Sequence, residues 1–598
     1  MRNTKRKIAA VMAAVALCAN FCMTYPVYAS ETTAAETEAA AADVTGAPAY
    51  RADVTQETIY GTLHGFEKDG SFHWYGVPYA QAPVGEMRWK APQPLQAWEG
   101  VLEADTSRTA SQMGAIPKDK IDPKTGKTEE LIGDEESAVT LDITRPATDE
   151  TDLPVLFYIH GGNNQGGNAA RLPATLMAQD VNAVIVSINH RVGLQGFITL
   201  PALQNGTDEE NSGNYGFLDM EAALDWVIEN IASFGGDPEN ITISGSSAGG
   251  RNIMAMLISP LFEGKFQKAI SFSGGMTTAN PEASQKVDAK WLAPLAVEKG
   301  VKATEEEAYE WLLTDGDDVR DFLYSLTDED LSSLFPNAGI RMADFPHLFA
   351  DGTVLPTDGF DIEKYNEVPI LMVNGDSEFS IFAKGDPMFA AKAPGEIMED
   401  ADLLAKYVFA ETYGSMMYGY FNGEEPAGKM LGHYDSPIYT CTIRWGDNPE
   451  VVGDEMATIF GSYHCITTQM MVHAPSSVLS AYPDQYNSAG FQDMSMMMNN
   501  YYKNFLWTGD PNGENLTQWD AWTSLDGTTQ LIVDADQEKA TAVMSEDHIS
   551  YDQIFEMMDA DTTLSEEDKA EVISSVLSGR WFSDPLDAKY NNPSRWVD

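Results

Sequence analysis

Phe234-Gly235-Gly236-Asp237-Pro238-Glu239-Asn240-Ile241-Thr242-Ile243-Ser244-Gly245-Ser246-Ser247-Ala248-Gly249-Gly250 runs a short β-branched segment, 241–244, straight into Gly-x-Ser-x-Gly and then into residues able to start a helix. That order of strand, tight turn and helix lifts a serine hydroxyl out of a sheet edge. The turn leaves no room for side chains, so Gly245 and Gly249 let the backbone pass close to its surroundings. Ser247 at the apex takes a strained backbone and becomes the candidate nucleophile.

The longer pattern, Phe234-Gly235-Gly236 and an apolar-x-apolar strand before Gly-x-Ser-x-Gly, resembles the serine-site signature of the type-B carboxylesterases, relatives of the cholinesterases. The resemblance implies an α/β-hydrolase. The segment from Gly61 to Val101 is similar to the opening of that family, in which the arginine matching Arg88 pairs with a glutamate matching Glu136. An early cysteine bridge of the family falls here on Ala110 and Ala138, so both partners are lost together.

Apolar runs at 155–159, 183–188, 241–244, 269–272, 370–373 and 438–442 alternate with helical stretches such as 217–231. Runs of this kind belong to parallel strands buried on both faces, and their alternation with helices predicts a doubly wound α/β sheet. Leu218, Ala222, Trp226 and Ile228 mark the expected buried stripe of the helix before the serine turn. Between about 280 and 345 the pattern turns helical, with Thr304 and Glu307 spaced as a capping box, and such an insertion roofs an α/β-hydrolase site.

A serine hydroxyl needs a base, and the base needs an orienting acid, in the chain order serine, acid, histidine. After Ser247 come His347, His433, His464, His473 and His548. The base should follow the sixth strand, which excludes His347 and His433 and makes His464 the first loop histidine after it. Phe460-Gly461-Ser462-Tyr463-His464 also looks like the family's catalytic-histidine loop. For the acid, Asp376 and Glu378 compete in the loop after the strand at 370–373, and register against the family places Glu378 at the catalytic position. His160-Gly161-Gly162-Asn163 resembles the family's oxyanion loop, which implies that the amides of Gly162 and Asn163 act with that of Ala248. Two departures stand out. Asn163 replaces a glycine, and Ser246 replaces a glutamate whose charge lies beside the histidine in relatives.

Lys+Arg 37 against Asp+Glu 91 gives a net charge of −54, which argues against nucleic acid and anionic membranes as partners. Arg2, Lys5, Arg6 and Lys7 before an apolar run from Ile8 to about Phe21, with Val27-Tyr28-Ala29 behind it, read as a signal peptide cleaved after Ala29, so a secreted protein is expected, without stable membrane insertion. Residues 30–52 form an Ala/Thr/Glu-rich linker, 53–545 the catalytic domain and 546–598 a C-terminal helical extension, in which 565–581 reads as a polar-faced helix. Asp559 and Asp561 lack the rest of a calcium loop, and no metal or cofactor is expected. Cys441 and Cys465 are the cysteines left after cleavage, either bridged or as free thiols. The expected function is a secreted serine carboxylesterase acting on a small-molecule ester. The competing expectation is a catalytically silent binding or adhesion protein on the same fold.

Overall fold

The computed structural model describes residues 48–108, 138–172, 174–334, 337–471, 485–525, 527 and 530–592. The expected signal peptide, Glu136, Ala110 and His473 lie outside these residues.

An 11-stranded sheet forms the centre. In chain order its strands are β1 (Phe66–Lys68), β2 (Ser71–Pro78), β3 (Thr140–Pro146), β4 (Leu153–Ile159), β5 (Val184–Ile188), β6 (Gly236–Ser246), β7 (Lys268–Phe272), β8 (Ile370–Gly375), β9 (Ile438–Ile443), β10 (Gln530–Ala535) and β11 (Ala540–Ser545). The spatial order is β11-β10-β9-β8-β7-β6-β4-β5-β3-β2-β1. From β10 across to β5 neighbouring strands are parallel, and antiparallel strands close both edges. Strands β4, β5, β7, β8 and β9 are buried along their whole length, on both faces. In β4, Val155, Phe157 and Ile159 enter one core while Leu156 and Tyr158 enter the other, as the two-residue repeat of a strand demands.

From β4 the chain crosses to β5 on one side and returns to β6 on the other, so the strand order switches between β4 and β6. A crevice opens above the carboxyl ends of two strands at such a point. The loop of His160 and the turn of Ser247 emerge there side by side.

Helices α1 (Tyr215–Asn230), α2 (Ala248–Met256), α3 (Pro281–Glu298), α4 (Glu305–Leu312), α5 (Asp317–Ser325), α6 (Asp328–Leu334), α7 (Ala401–Asn422), α8 (Ala489–Thr508), α9 (Tyr551–Ala560) and α10 (Glu566–Val572) surround the sheet. The buried face of α1 is broader than the expected stripe. Ala223, Leu224 and Val227 are fully buried while Ala222 and Ile228 are half-buried, because the helix packs on more than one neighbour. Thr304 Oγ1 accepts from the amide of Glu307 at 3.2 Å and so starts α4. The helix expected over 565–581 is shorter. It ends as α10, winds through a π-helical turn at Ile573–Leu577 and leaves Trp581 on a loop. Hydroxyls of Ser574 and Ser575 bond back to the carbonyls of Ala570 and Glu571, a local competition that loosens a regular helix.

Three buried ionisable groups fare differently. Arg191 donates to both carboxylate oxygens of Asp219, at 2.8 and 2.7 Å, and so ties the segment after β5 to α1. Arg88, whose expected partner Glu136 is outside the described residues, places Nη2 3.2 Å from Asp328 and joins the opening segment to α6. Asp288 of α3 is fully buried and receives one long bond, 3.3 Å from the amide of Thr199, and burial pushes its carboxyl up to about 8. An unfolded aspartate titrates near 4, so the folded chain holds this proton more tightly. The stabilisation is present in full below that value and is lost as pH rises through the folded pKa. Asp288→Asn is therefore expected to raise Tm at about pH 9 and to change it little at about pH 5, as read by thermal melts across that range.

Candidate active site

Ser247 sits between β6 and α2 with φ 57° and ψ −122°, a backbone that a side chain rarely adopts. The surrounding chain leaves no alternative. A Cβ on Gly249 would meet the carbonyl of Ile159 at 2.2 Å, and one on Gly245 would meet the carbonyl carbon of Gly249 at 2.5 Å. The amide of Ser247 donates to the carbonyl of Phe272 at 2.8 Å, which anchors the turn to the end of β7.

The His160 loop packs directly on this turn. A Cβ on Gly161 would lie 2.7 Å from the Ser246 carbonyl and 3.0 Å from Ser247 Cβ. Gly162 has φ 127° and Asn163 φ 59°, so asparagine takes the left-handed backbone where the sequence resemblance implies a glycine. Among the described residues, the N–H groups of Gly162, Asn163 and Ala248 donate to no protein acceptor. Asn164 and Asn252 exchange reciprocal side-chain amide bonds at 3.0 and 2.9 Å, holding the loop against α2. At the other departure, the hydroxyls of Ser246 and Tyr158 hydrogen-bond at 2.8 Å.

Strand β8 ends in the loop of Asp376 and Glu378, and the chain beyond β9 carries His464. His464 Nδ1 lies 2.5 Å from Glu378 Oε2, with Glu378 inaccessible and His464 5% exposed. Asp376 turns away to Arg444, 3.3 Å distant, with both side chains half exposed. The second oxygen of Glu378 accepts from Ser273 Oγ at 2.6 Å and from the amide of Gly375 at 2.7 Å. Ser273 follows directly on Phe272, whose carbonyl holds the Ser247 amide, so Glu378 and Ser247 are joined across one residue of β7's end. His464 Nε2, the other ring nitrogen, is enclosed and has no hydrogen-bond partner among the described residues, so its bond to Ser247 Oγ is not made in this structure. Catalytic hydrogen bonds of this type commonly tighten only when substrate is bound.

The acid and histidine loops are tied to each other. The Ser377 amide donates to the Ser462 carbonyl at 3.1 Å, and Asp447 Oδ1 accepts from both Ser377 Oγ and the Ser462 amide at 2.7 Å. Burial and the charge of Asp376 push Asp447 up to about 7. Burial works against the imidazolium of His464, but Cys465 and Glu378 together outweigh it and raise the imidazole above its ordinary value. Cys441 and Cys465 are both free thiols. Sequence reasoning missed Ser273 and Asp447. A serine directly after a parallel strand was the one available hint for the first, and nothing local marked the second.

This geometry separates the competing carboxylates. Glu378→Gln is expected to slow labelling of Ser247 by a fluorophosphonate roughly a hundredfold or more, while Asp376→Asn stays within about threefold. The reverse order would move the orienting role to Asp376.

Known proteins resemble the chain over most of its length. The model of the Carboxylesterase family matches residues 52–434. The chain is 37% identical over 245 residues to the para-nitrobenzyl esterase of Bacillus subtilis (strain 168), covering 41% of this chain and 48% of that protein. It is 28% identical over 516 residues to the liver carboxylesterase of Sus scrofa, covering 78% and 86%. The solved structure of the Geobacillus stearothermophilus carboxylesterase EST55 superposes with a TM-score of 0.61 at 26% identity, covering 82% of this chain and 98% of that one. With its α/β-hydrolase fold and a family match over most of its length, the chain belongs to the carboxylesterase family and is a carboxylic ester hydrolase.

Proposed function

We propose that the protein is a secreted serine esterase working through an acyl-enzyme. Ser247 Oγ attacks the ester carbonyl while His464 Nε2 takes its proton, and Glu378 holds the imidazole through Nδ1. Charge building on the carbonyl oxygen meets the N–H groups of Gly162, Asn163 and Ala248, each worth roughly a hundredfold or more in rate. His464 returns the proton to the leaving alcohol. Water, deprotonated by the same nitrogen, then releases the acid and restores Ser247. Overall one ester and one water become one acid and one alcohol.

The observation that carries this reading is the 2.5 Å bond between His464 and Glu378 beside a serine turn whose neighbouring amides are unspent. With Ser246 in place of a glutamate, the carboxylate in contact with His464 is that of Glu378. Secretion is part of the proposal and rests on the basic, then apolar, residues before Ala29.

The test is modification of Ser247 by a fluorophosphonate together with release of acid from p-nitrophenyl acetate. Ser247→Ala is expected to abolish labelling and to lower kcat about a thousandfold or more. A folded wild-type protein that is silent in both assays would instead support a binding or adhesion role. The base must be unprotonated to act, so a raised imidazole puts the acid limb of kcat/KM above its usual position near 6.5. Glu378→Gln removes the carboxylate that raises the imidazole and is expected to move that limb to lower pH. A limb at or below about 6.5 that ignores the substitution would contradict the electrostatic account.

A further inference from the structure

Residues 578–583, far along the chain from the serine turn, touch the support of all three candidate catalytic groups. Trp581 lies over the guanidinium of Arg251, 4.1 Å from its ring centroid. Arg251 sits one helical turn after Ser247, and its amide donates to the Ser247 carbonyl at 2.9 Å. Phe582 packs on Tyr418 at 5.2 Å, and Tyr418 stacks on the imidazole of His464 at 5.3 Å with the rings 18° apart. Phe582 also meets Phe379 edge-on at 5.4 Å, and Phe379 is the residue after Glu378.

The segment is held firmly in place. Arg580 Nη2 donates to Asp386 at 2.8 Å, and the same carboxylate oxygen accepts from Arg341 Nη2 at 3.0 Å. The Trp581 amide donates to the carbonyl of Ile340 at 2.9 Å, so the segment forms a short bridge with the chain around Arg341. Trp581 and Phe582 are almost wholly buried. Arg251 has neutral partners, His347 Nε2 at 2.5 Å and the Thr277 carbonyl at 2.9 Å, and burial lowers its pKa to about 9. The indole face is therefore a substantial part of what keeps this cation in place.

We propose that this C-terminal segment is a positioning wall of the catalytic site, in which Phe582, acting through Tyr418 and Phe379, keeps the His464 imidazole and the Glu378 carboxylate in register with Ser247. The proposal rests on the assignment of Ser247, Glu378 and His464 as the reacting groups. An imidazole clamped between an aromatic face and a carboxylate has little freedom to rotate, and misplacement by about 1 Å costs on the order of a hundredfold in rate. Stacked and edge-on aromatic pairs supply that clamp directly, because they fix ring orientation as well as burial. The extension thus acts on the chemistry from behind, without touching substrate.

The experiment uses the full chain with Phe582→Ala, Phe582→Leu and Leu586→Ala, measuring Tm, the fluorophosphonate labelling rate of Ser247, and kcat and KM on p-nitrophenyl acetate. Leu586 is buried in the same extension and serves to loosen it away from the catalytic groups. The expected result is a kcat and a labelling rate about tenfold lower or more in Phe582→Ala, KM within about threefold, partial recovery in Phe582→Leu, and a lowered Tm with kcat within about twofold in Leu586→Ala. If Phe582→Ala does not fold, Phe582→Leu carries the test with the same kcat-against-KM split. Equal turnover in all folded variants, or equal loss of turnover in Leu586→Ala, would overturn the proposal and leave the segment a structural cover. Failure of the wild-type protein to label at Ser247 would instead overturn the assignment on which it rests.

Discussion

The backbone of Ser247 is the constraint from which the site follows. A serine at φ 57° and ψ −122° carries strain of about 1–3 kcal/mol, and it persists because the neighbours admit no other path. Gly245, Gly249 and Gly161 bring three chain segments within contact of one another, and the Ser247 amide is spent on the carbonyl of Phe272. The turn is nearly buried, with Ser247 8% exposed, where the strand order switches between β4 and β6. It also brings the start of α2 against the segment leading into the His160 loop, through the close approach of Gly249 to the Ile159 carbonyl.

Around that turn the structure spends polar groups with economy. Glu378 uses both oxygens, one on His464 and the other on Ser273 and Gly375, so a fully buried carboxylate keeps its charge compensated by three donors. Asp447 ties the two loops through a single oxygen, which accepts from Ser377 of one and Ser462 of the other. Loops are the mobile part of an α/β enzyme, and here their relative position is set by bonds between them as well as by the strands from which they hang. Ser246 and Tyr158 form a neutral pair at the position where the sequence resemblance implies a glutamate.

Much of this was readable in advance because it is local. The parallel strands announce themselves as apolar runs, and the serine turn as a glycine pattern in a strand-to-helix setting. Strand ends proved harder. The run expected at 241–244 is part of a strand that begins at Gly236, since Gly236 pairs with Leu153 across an irregularity that no local pattern signals. The choice between Asp376 and Glu378 illustrates the same limit: two carboxylates two residues apart look alike in a sequence, and only the direction of the loop sends one to Arg444 and the other to His464.

The sequence by itself determined the doubly wound sheet, the strained serine and the set of groups able to assist it, because each depends on neighbours within a few residues or on a strand's own periodicity. Tertiary structure alone decided the rest. Ser273 bonding Glu378, Asp447 joining two loops, and Trp581 and Phe582 arriving behind Arg251 and Tyr418 are meetings between residues that lie far apart along the chain. Such contacts follow from where the strand order switches and how the last helices return across the insertion, and no short stretch of sequence encodes a distance between its own side chains and those of a remote one.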